Sequence, residues 1–169
     1  MLKVNLAGLD REEARINASI QPEDPFWKTT ELRPVGPLQL DLVARSVGEG
    51  VLVRGRLQAG VEMECRRCLT PVTQRVDDIV DMLFTEIGPD EAEIEGEVYR
   101  LSSRGTELDI TEAVREQLLL RVPQYALCRE DCRGFCPTCG KNLNDGACDC
   151  VPEAQPSPWE ALKQVRFEK

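Results

Sequence analysis

Histidine is absent from all 169 residues of the chain. Because histidine is the commonest general base of enzymes, its absence excludes every histidine-containing catalytic triad and zinc-hydrolase site. Aromatic residues are also scarce, at 5% of the sequence. No apolar run approaches the roughly 20 residues that a membrane-spanning helix needs. We therefore expect no membrane partner, and no pattern in the sequence indicates a small-molecule substrate.

Basic residues are outnumbered by acidic ones, and the formal net charge is −9. A chain this acidic does not bind nucleic acid through a broad basic field. Any contact with RNA must use a local basic patch or be made through a protein partner. Residues 1–15 also lack the apolar segment of a secretory signal. We therefore expect a cytoplasmic protein, in a reducing compartment where clustered cysteines are more often metal ligands than disulfides.

Eight cysteines stand in spacings typical of metal ligands. Two of them form a CxxC pair, Cys65 and Cys68. The other six lie close together near the C-terminus: Cys128, Cys132, Cys136, Cys139, Cys148 and Cys150. Within this group, residues 136–140 read CPTCG, a knuckle whose proline sets the turn and whose glycine lets backbone N–H groups point at the thiolates. The spacing favours zinc over disulfides, redox thiols or an iron–sulfur cluster.

Two partitions of the eight cysteines are physically reasonable. In the first, two Zn²⁺ ions are held by two sets of four: Cys65/Cys68/Cys128/Cys132 and Cys136/Cys139/Cys148/Cys150. In the second, the six C-terminal cysteines form one site with two spare thiols, and the upstream CxxC holds no metal. We prefer the first, because it uses every thiol and lets one metal join a turn of the sheet to the end of a helix.

Five basic residues lie within or beside these cysteine sets: Arg66, Arg67, Arg129, Arg133 and Lys141. One interpretation is electrostatic, since cations offset the negative charge of metal thiolate centres. The other is a local patch that binds RNA phosphates or another partner, with Asn142 and Asn144 as additional hydrogen-bonding groups.

The hydrophobic pattern predicts an α+β fold. Residues 38–84 alternate with a period of two between glycine-bearing turns, which predicts an antiparallel meander of four or more strands with the first CxxC at a turn. Residues 2–6 and 98–101 indicate further short strands, and residues 109–121 a helix with Asp109 as its N-cap. We expect a curved antiparallel sheet or small open barrel with one packed helix.

The same patterns predict two domains. Residues 1–127 would form the antiparallel β domain with its packed helix at 109–121. Residues 128–169 would form a Cys-rich, zinc-binding module with a short terminal helix at 156–165. Residues 88–97 are strongly acidic and indicate a solvated connection within the first domain.

Two motifs resemble those of the YceD family, the bacterial large ribosomal RNA subunit accumulation proteins. The first is CRRCLTPV at residues 65–72. The second is CRGFCPTCGKNLN at residues 132–144, followed by CDC at 148–150; in the family it usually reads CxGLCPxCGxNLN…CxC. Phe135 stands where leucine is more usual, and both residues are apolar. The order of the elements between and after the motifs is also similar to that of the longer members.

The resemblance implies a cytoplasmic, non-enzymatic factor for accumulation of large-subunit ribosomal RNA, and hence for assembly of the 50S subunit. The partners of such a factor would be precursor ribosomal RNA or a ribosomal protein. The resemblance supplies no catalytic residue. Two alternatives stay open. One is a thiol-redox protein or zinc-dependent redox switch that uses Cys65 and Cys68, and the other is a protein-interaction adaptor that makes no contact with RNA.

Overall fold

The structure, a computed structural model, describes residues 2–86, 98–101 and 106–151. Within these ranges the chain forms eight strands, one α-helix and a short 3₁₀ helix at Pro25–Thr29. The strands and helix are β1 Lys3–Asn5, β2 Ala14–Ile20, β3 Arg33–Pro34, β4 Leu38–Val47, β5 Gly50–Glu64, β6 Pro71–Thr85, β7 Val98–Arg100, β8 Glu107–Asp109 and α1 Thr111–Arg121.

The main sheet runs in the order β2-β4-β5-β6-β7. The short strand β3 pairs with the part of β5 that lies beyond its pairing with β4. Strands β4, β5 and β6 are consecutive antiparallel neighbours, so the antiparallel meander is confirmed. Residues 38–84 form three strands and not four or more, because Gly60 pairs with Arg75 inside the long strand β5 and does not form a turn. β7 departs from it, because it pairs with β6 in parallel. The two outer strands, β2 and β7, do not pair with each other in the described part of the chain, so the sheet is open rather than a closed barrel.

One face of the sheet carries the hydrophobic core. Along β4, Leu38, Leu40 and Leu42 are buried while Gln39 and Asp41 are exposed, as the period of two predicts. Helix α1 packs on the core through side chains that include the fully buried Val114 and Leu118. Burying each of these large aliphatic side chains stabilises the fold by about 1.5–3 kcal/mol. The predicted α+β class, with one packed helix, is confirmed.

The N-terminal strand pairs outside the main sheet. β1 is antiparallel to β8, with Val4 opposite Leu108. Because β8 occupies the residues up to Asp109, the helix begins at Thr111, two residues later than the sequence predicts. Asp109 is not the N-cap but lies one residue before it, where its side chain accepts a hydrogen bond of 2.9 Å from the backbone N–H of Thr111.

Two sequence predictions fall on parts of the chain that the structure does not describe. The acidic connection at 88–97 and the terminal helix at 156–165 lie outside the described residues. Among the residues that are described, no helix is long and apolar enough to cross a membrane.

Candidate metal centres

The first CxxC forms the turn between β5 and β6. The backbone N–H of Cys65 donates to the carbonyl oxygen of Thr70 at 2.8 Å, and that of Leu69 donates to the carbonyl oxygen of Cys65 at 2.8 Å. Leu69 takes a positive φ of 59°, which turns the chain back into β6. The pair is thus followed by a strand, whereas a thioredoxin-like CxxC sits near a βαβ pattern.

Four cysteines meet at this turn to form the first centre: Cys65, Cys68, Cys128 and Cys132, whose sulfur atoms all lie within 4.8 Å of one another. The Cys65 and Cys132 sulfurs are 3.8 Å apart, and those of Cys68 and Cys128 are 3.6 Å apart. A tetrahedral Zn²⁺ with bonds of about 2.3 Å places its sulfurs about 3.8 Å apart, whereas a disulfide bond is about 2.05 Å long. The donor set therefore fits a tetrahedral metal ion.

The other four cysteines form the second centre: Cys136, Cys139, Cys148 and Cys150, again with all sulfurs within 4.8 Å. The knuckle closes because Gly140, at a φ of 71°, donates its N–H to the carbonyl oxygen of Cys136 at 2.8 Å. The structure thus groups the eight cysteines as the first partition predicts, in two sets that could each hold a metal ion.

The thiols of the first centre differ in their pKa values. Burial raises the pKa of Cys65, but the backbone N–H groups of Cys128, Arg67 and Cys68 outweigh it and lower that pKa to about 6. Burial, together with hydrogen bonding among the neighbouring thiols, raises the pKa of Cys128 to about 12. The pKa of Cys132 is lowered, chiefly by a hydrogen bond from the Asn144 side chain. Metal-free, the centre thus combines a readily ionised thiol with a protonated one.

The second centre repeats this contrast. Backbone N–H groups of Cys139 and Thr138 lower the pKa of Cys136 to about 6. Hydrogen bonding to Cys139, with burial, raises the pKa of Cys150 to about 12. In each centre the first cysteine of the CxxC has a pKa lowered to about 6, and backbone N–H groups of that CxxC contribute to the shift, those of Arg67 and Cys68 in one centre and those of Cys139 and Thr138 in the other.

Hydrogen bonds to the backbone fasten the first knuckle, the CxxC turn at residues 65–68, to the segment that supplies Cys128 and Cys132. The side chain of Arg67 donates from Nη1 to the carbonyl oxygens of Glu130, at 3.2 Å, and Cys132, at 2.9 Å. The carbonyl oxygen of Arg67 accepts from the N–H of Phe135 at 3.1 Å, and the N–H of Arg66 donates to Ala126 at 2.9 Å. These bonds therefore join the two segments that supply the ligands of the first centre, on either side of Cys128 and Cys132.

Asn144 connects the two centres, a role that sequence reasoning missed. The sequence allows it as an additional hydrogen-bonding group in one of the two interpretations of the basic residues, but its Nδ2 donates to the sulfur of Cys132 at 3.3 Å. Its Oδ1 accepts from the backbone N–H of Arg133 at 2.9 Å and from Nη2 of Arg129 at 2.8 Å. The available signal was the Asn-Leu-Asn run at residues 142–144, just after the CPTCG knuckle, since asparagine side chains commonly bond to nearby backbone.

The five predicted contact residues are all exposed and lie around the two centres. Three of them are engaged in the fold: Arg67 as described, Arg129 with Asn144 and Asp131, and Lys141, whose Nζ donates to the carbonyl oxygen of Ala147 at 2.7 Å. The guanidinium of Arg66 stacks 3.9 Å from the ring centroid of the exposed Tyr125. The Arg133 side chain makes no ion pair or hydrogen bond to any described residue.

Comparison with known proteins places the chain in a family. The model of the large ribosomal RNA subunit accumulation protein YceD matches residues 53–166, which include both cysteine sets. The chain therefore belongs to the YceD family, as its motifs predict. No solved structure matches it at a significant level.

Several curated relatives are also similar to the chain. An uncharacterized protein of Mycobacterium tuberculosis is 40% identical over 108 residues, which are 63% of this chain and 51% of the relative. The chloroplastic large ribosomal RNA subunit accumulation protein YCED homolog 1 of Zea mays is 24% identical over 161 residues, which are 78% of this chain and 50% of the relative. The protein of the same name in Arabidopsis thaliana is 24% identical over 157 residues, which are 77% of this chain and 49% of the relative. The chain spans about half the length of the curated relatives it matches.

Proposed function

We propose that this protein is a non-enzymatic, cytoplasmic factor for accumulation of large-subunit ribosomal RNA, and so for assembly of the 50S subunit. It binds precursor ribosomal RNA or a ribosomal protein through a surface that two Zn²⁺ ions stabilise. Membership of the YceD family over residues 53–166 carries the proposal. The two plant relatives, whose names state a role in large-subunit ribosomal RNA accumulation, support it.

Zinc is the metal that best suits both centres. Each offers four cysteine sulfurs, and Cys₄ sets from CxxC knuckles are typical structural zinc sites. Four protein ligands leave no open position for water or substrate, which is the arrangement of a structural site rather than a catalytic one. The chain also lacks histidine, the commonest general base. Both facts support a binding role for the zinc module, which we assign to residues 128–169 beside the β domain of residues 1–127.

The contact surface in this proposal consists of the five cations around the centres. Arg67, Arg129 and Lys141 also hold backbone or amide oxygens of the fold. Arg66 and Arg133 carry exposed guanidinium groups without such anchors, so they are the residues best suited to reach a partner. Because the chain is acidic overall, at −9, a local patch is the arrangement that an RNA contact requires.

Co-sedimentation tests this proposal. In a host that lacks its own copy, the wild-type chain should travel with precursors of the large subunit and restore large-subunit ribosomal RNA. The variant Arg66→Ala/Arg133→Ala should do neither. Arg15→Ala/Arg45→Ala is the matched control, because it removes the same charge from two exposed arginines on the outer face of the sheet that have no described polar partner. No association of the wild-type chain, with normal ribosomal RNA levels after deletion, would contradict the proposal.

The acidic charge favours a second candidate, an adaptor that binds only a basic ribosomal protein. Binding to naked ribosomal RNA distinguishes the two, because phosphate contacts release counterions and make affinity fall steeply with salt. Salt-dependent binding supports direct contact, and association with particles but not with naked RNA supports the adaptor. A redox role for Cys65 and Cys68 would require both thiols to react freely in the metal-loaded protein. Cys65 is fully buried, which opposes such reactivity.

A further inference from the structure

The side chain of Asn144 bridges the two metal centres. Asn144 lies in the loop between Cys139 and Cys148, two ligands of the second centre. Its Nδ2 nevertheless donates a hydrogen bond of 3.3 Å to the sulfur of Cys132, a ligand of the first centre. A residue of one centre's loop thus makes a direct contact with a donor atom of the other.

The orientation of this amide is fixed by its remaining hydrogen bonds. Oδ1 accepts from the backbone N–H of Arg133 and from Nη2 of Arg129, so it must face those two donors. Nδ2 also donates to Oδ1 of Asn142 at 2.7 Å, and the same oxygen accepts from the backbone N–H of Asn144 at 3.0 Å. With its oxygen held by two donors, the amide can only present N–H to the sulfur.

The position of Asn144 depends in turn on how the second centre folds its loop. The loop is clamped at its two ends by Cys139 and Cys148, which would share one metal ion. Within it, Leu143 donates its N–H to the carbonyl oxygen of Gly134 at 2.9 Å, and Asn142 forms an isolated bridge with Phe135. A metal ion that ties the loop ends together therefore holds Asn144 where it reaches Cys132.

We propose that the two centres are coupled through Asn144, a positioning residue, so that metal bound at the second centre strengthens retention of metal at the first. The inference rests on the metal assignment of the proposed function. Hydrogen bonds from outer residues to metal ligands orient them, and their loss typically weakens metal affinity 10–100-fold. Coupling of binding free energies is reciprocal, so metal at the first centre strengthens the second by the same factor.

Cadmium NMR of the full chain loaded with ¹¹³Cd²⁺ tests the coupling, because each tetrathiolate centre gives its own resonance. The variant Cys139→Ser/Cys148→Ser disables the second centre and assigns the first. A competing chelator then measures retention at the first centre. Disabling the second centre should weaken the first about 10–100-fold in the wild-type background. In an Asn144→Ala background the same change should weaken it less than about twofold, because the connection is already lost.

Two further variants keep the test independent of folding. Asn144→Asp has the same shape but replaces the N–H donor by an oxygen, and it should remove the coupling as Asn144→Ala does. Asp145→Ala changes an exposed neighbour in the same loop and should leave the coupling intact. The inference is overturned if disabling the second centre leaves the first unaffected, or weakens it equally with and without Asn144. Two cadmium resonances with no coupling reject this inference alone, whereas no cadmium resonance at all rejects the metal assignment of the proposed function as well.

Discussion

Nη1 of Arg67 donates a hydrogen bond of 2.9 Å to the carbonyl oxygen of Cys132. The CxxC turn at residues 65–68 is thus bonded to the segment that supplies the other two ligands of its centre. The same guanidinium nitrogen also reaches the carbonyl oxygen of Glu130. The neighbouring Arg66 instead stacks on Tyr125 at the surface. Two adjacent arginines of one CxxC thus have different roles, one in holding the fold and one in presenting charge.

Arg67→Ala should therefore destabilise the protein more than Arg66→Ala. The first variant loses two hydrogen bonds from a charged donor and should lower the free energy of unfolding by about 1–2 kcal/mol. The second loses an exposed cation–π contact and should cost about 0.5–1 kcal/mol. Urea unfolding of the metal-loaded proteins at one fixed zinc concentration measures both values. A larger loss for Arg66→Ala would contradict the assigned roles.

Gly134 lies in the segment that Arg67 holds, close to the backbone of Arg67. Its φ of 78° lies in the left-handed region, and a Cβ added there would approach the carbonyl oxygen of Arg67 to 2.9 Å. Gly8 has a similar φ of 90° but open space around it, so it reports the conformational penalty alone. Gly8→Ala should cost about 1–2 kcal/mol, and Gly134→Ala at least about 1 kcal/mol more. Equal losses in unfolding free energy would show that the knuckle tolerates the closer approach.

Sequence patterns predicted the parts of the fold that depend on neighbouring residues. Alternation along residues 38–84 predicted the antiparallel meander, although as four or more strands where the structure has three, and the CxxC at 65–68 does form a strand-to-strand turn. Spacing left two partitions of the cysteines open, and the one that the structure shows was preferred because it uses every thiol in two sets of four. These features are local, or follow from the geometry of four ligands around one ion.

Pairings between distant segments could not be read from the sequence. β7 pairs in parallel with β6, and β1 pairs with β8. The periodicity of a segment predicts that it is a strand but does not indicate which strand it pairs with. The pairing of β1 with β8 explains why the helix starts at Thr111 rather than at Asp109. The hydrogen bonds made by Arg67 and the bridge made by Asn144 are likewise long-range. Residue type alone indicates only that these side chains can form such bonds, not where.

Helix α1 allows a matched test of the core. Leu118 is fully buried, whereas 63% of Leu120 is exposed on the same helix. Leu118→Ala should lower the free energy of unfolding by about 2–5 kcal/mol, because it leaves a cavity. Leu120→Ala should change it by less than about 0.5 kcal/mol, since surface substitutions away from special features have small effects. Similar losses for the two variants, measured by chemical unfolding, would contradict the packing of α1 on the sheet.

Metal binding should release protons in a pH-dependent number. Cys128 and Cys150, with pKa values of about 12, are protonated at neutral pH in the metal-free fold and must give up their protons to bind metal. Cys65 and Cys136, with pKa values of about 6, are largely ionised at neutral pH and protonate only as the pH falls through that value. More protons must then be displaced below about pH 6, and affinity should fall more steeply there.

Calorimetry checks this prediction when zinc is titrated in buffers of different ionisation enthalpy. The number of protons released per metal ion should be larger at about pH 5.5 than at about pH 7.5. The same number at both pH values would show that the thiols Cys65 and Cys136 do not carry the depressed pKa values.

The stoichiometry of zinc per chain tests the central claim most directly. Elemental analysis of the wild-type protein at saturating zinc should give two ions per chain. Cys68→Ser, which changes only the first centre, and Cys139→Ser, which changes only the second, should each give one. A wild-type value of one or zero, or no difference between the wild type and either variant, would contradict an account built on two tetracysteine centres.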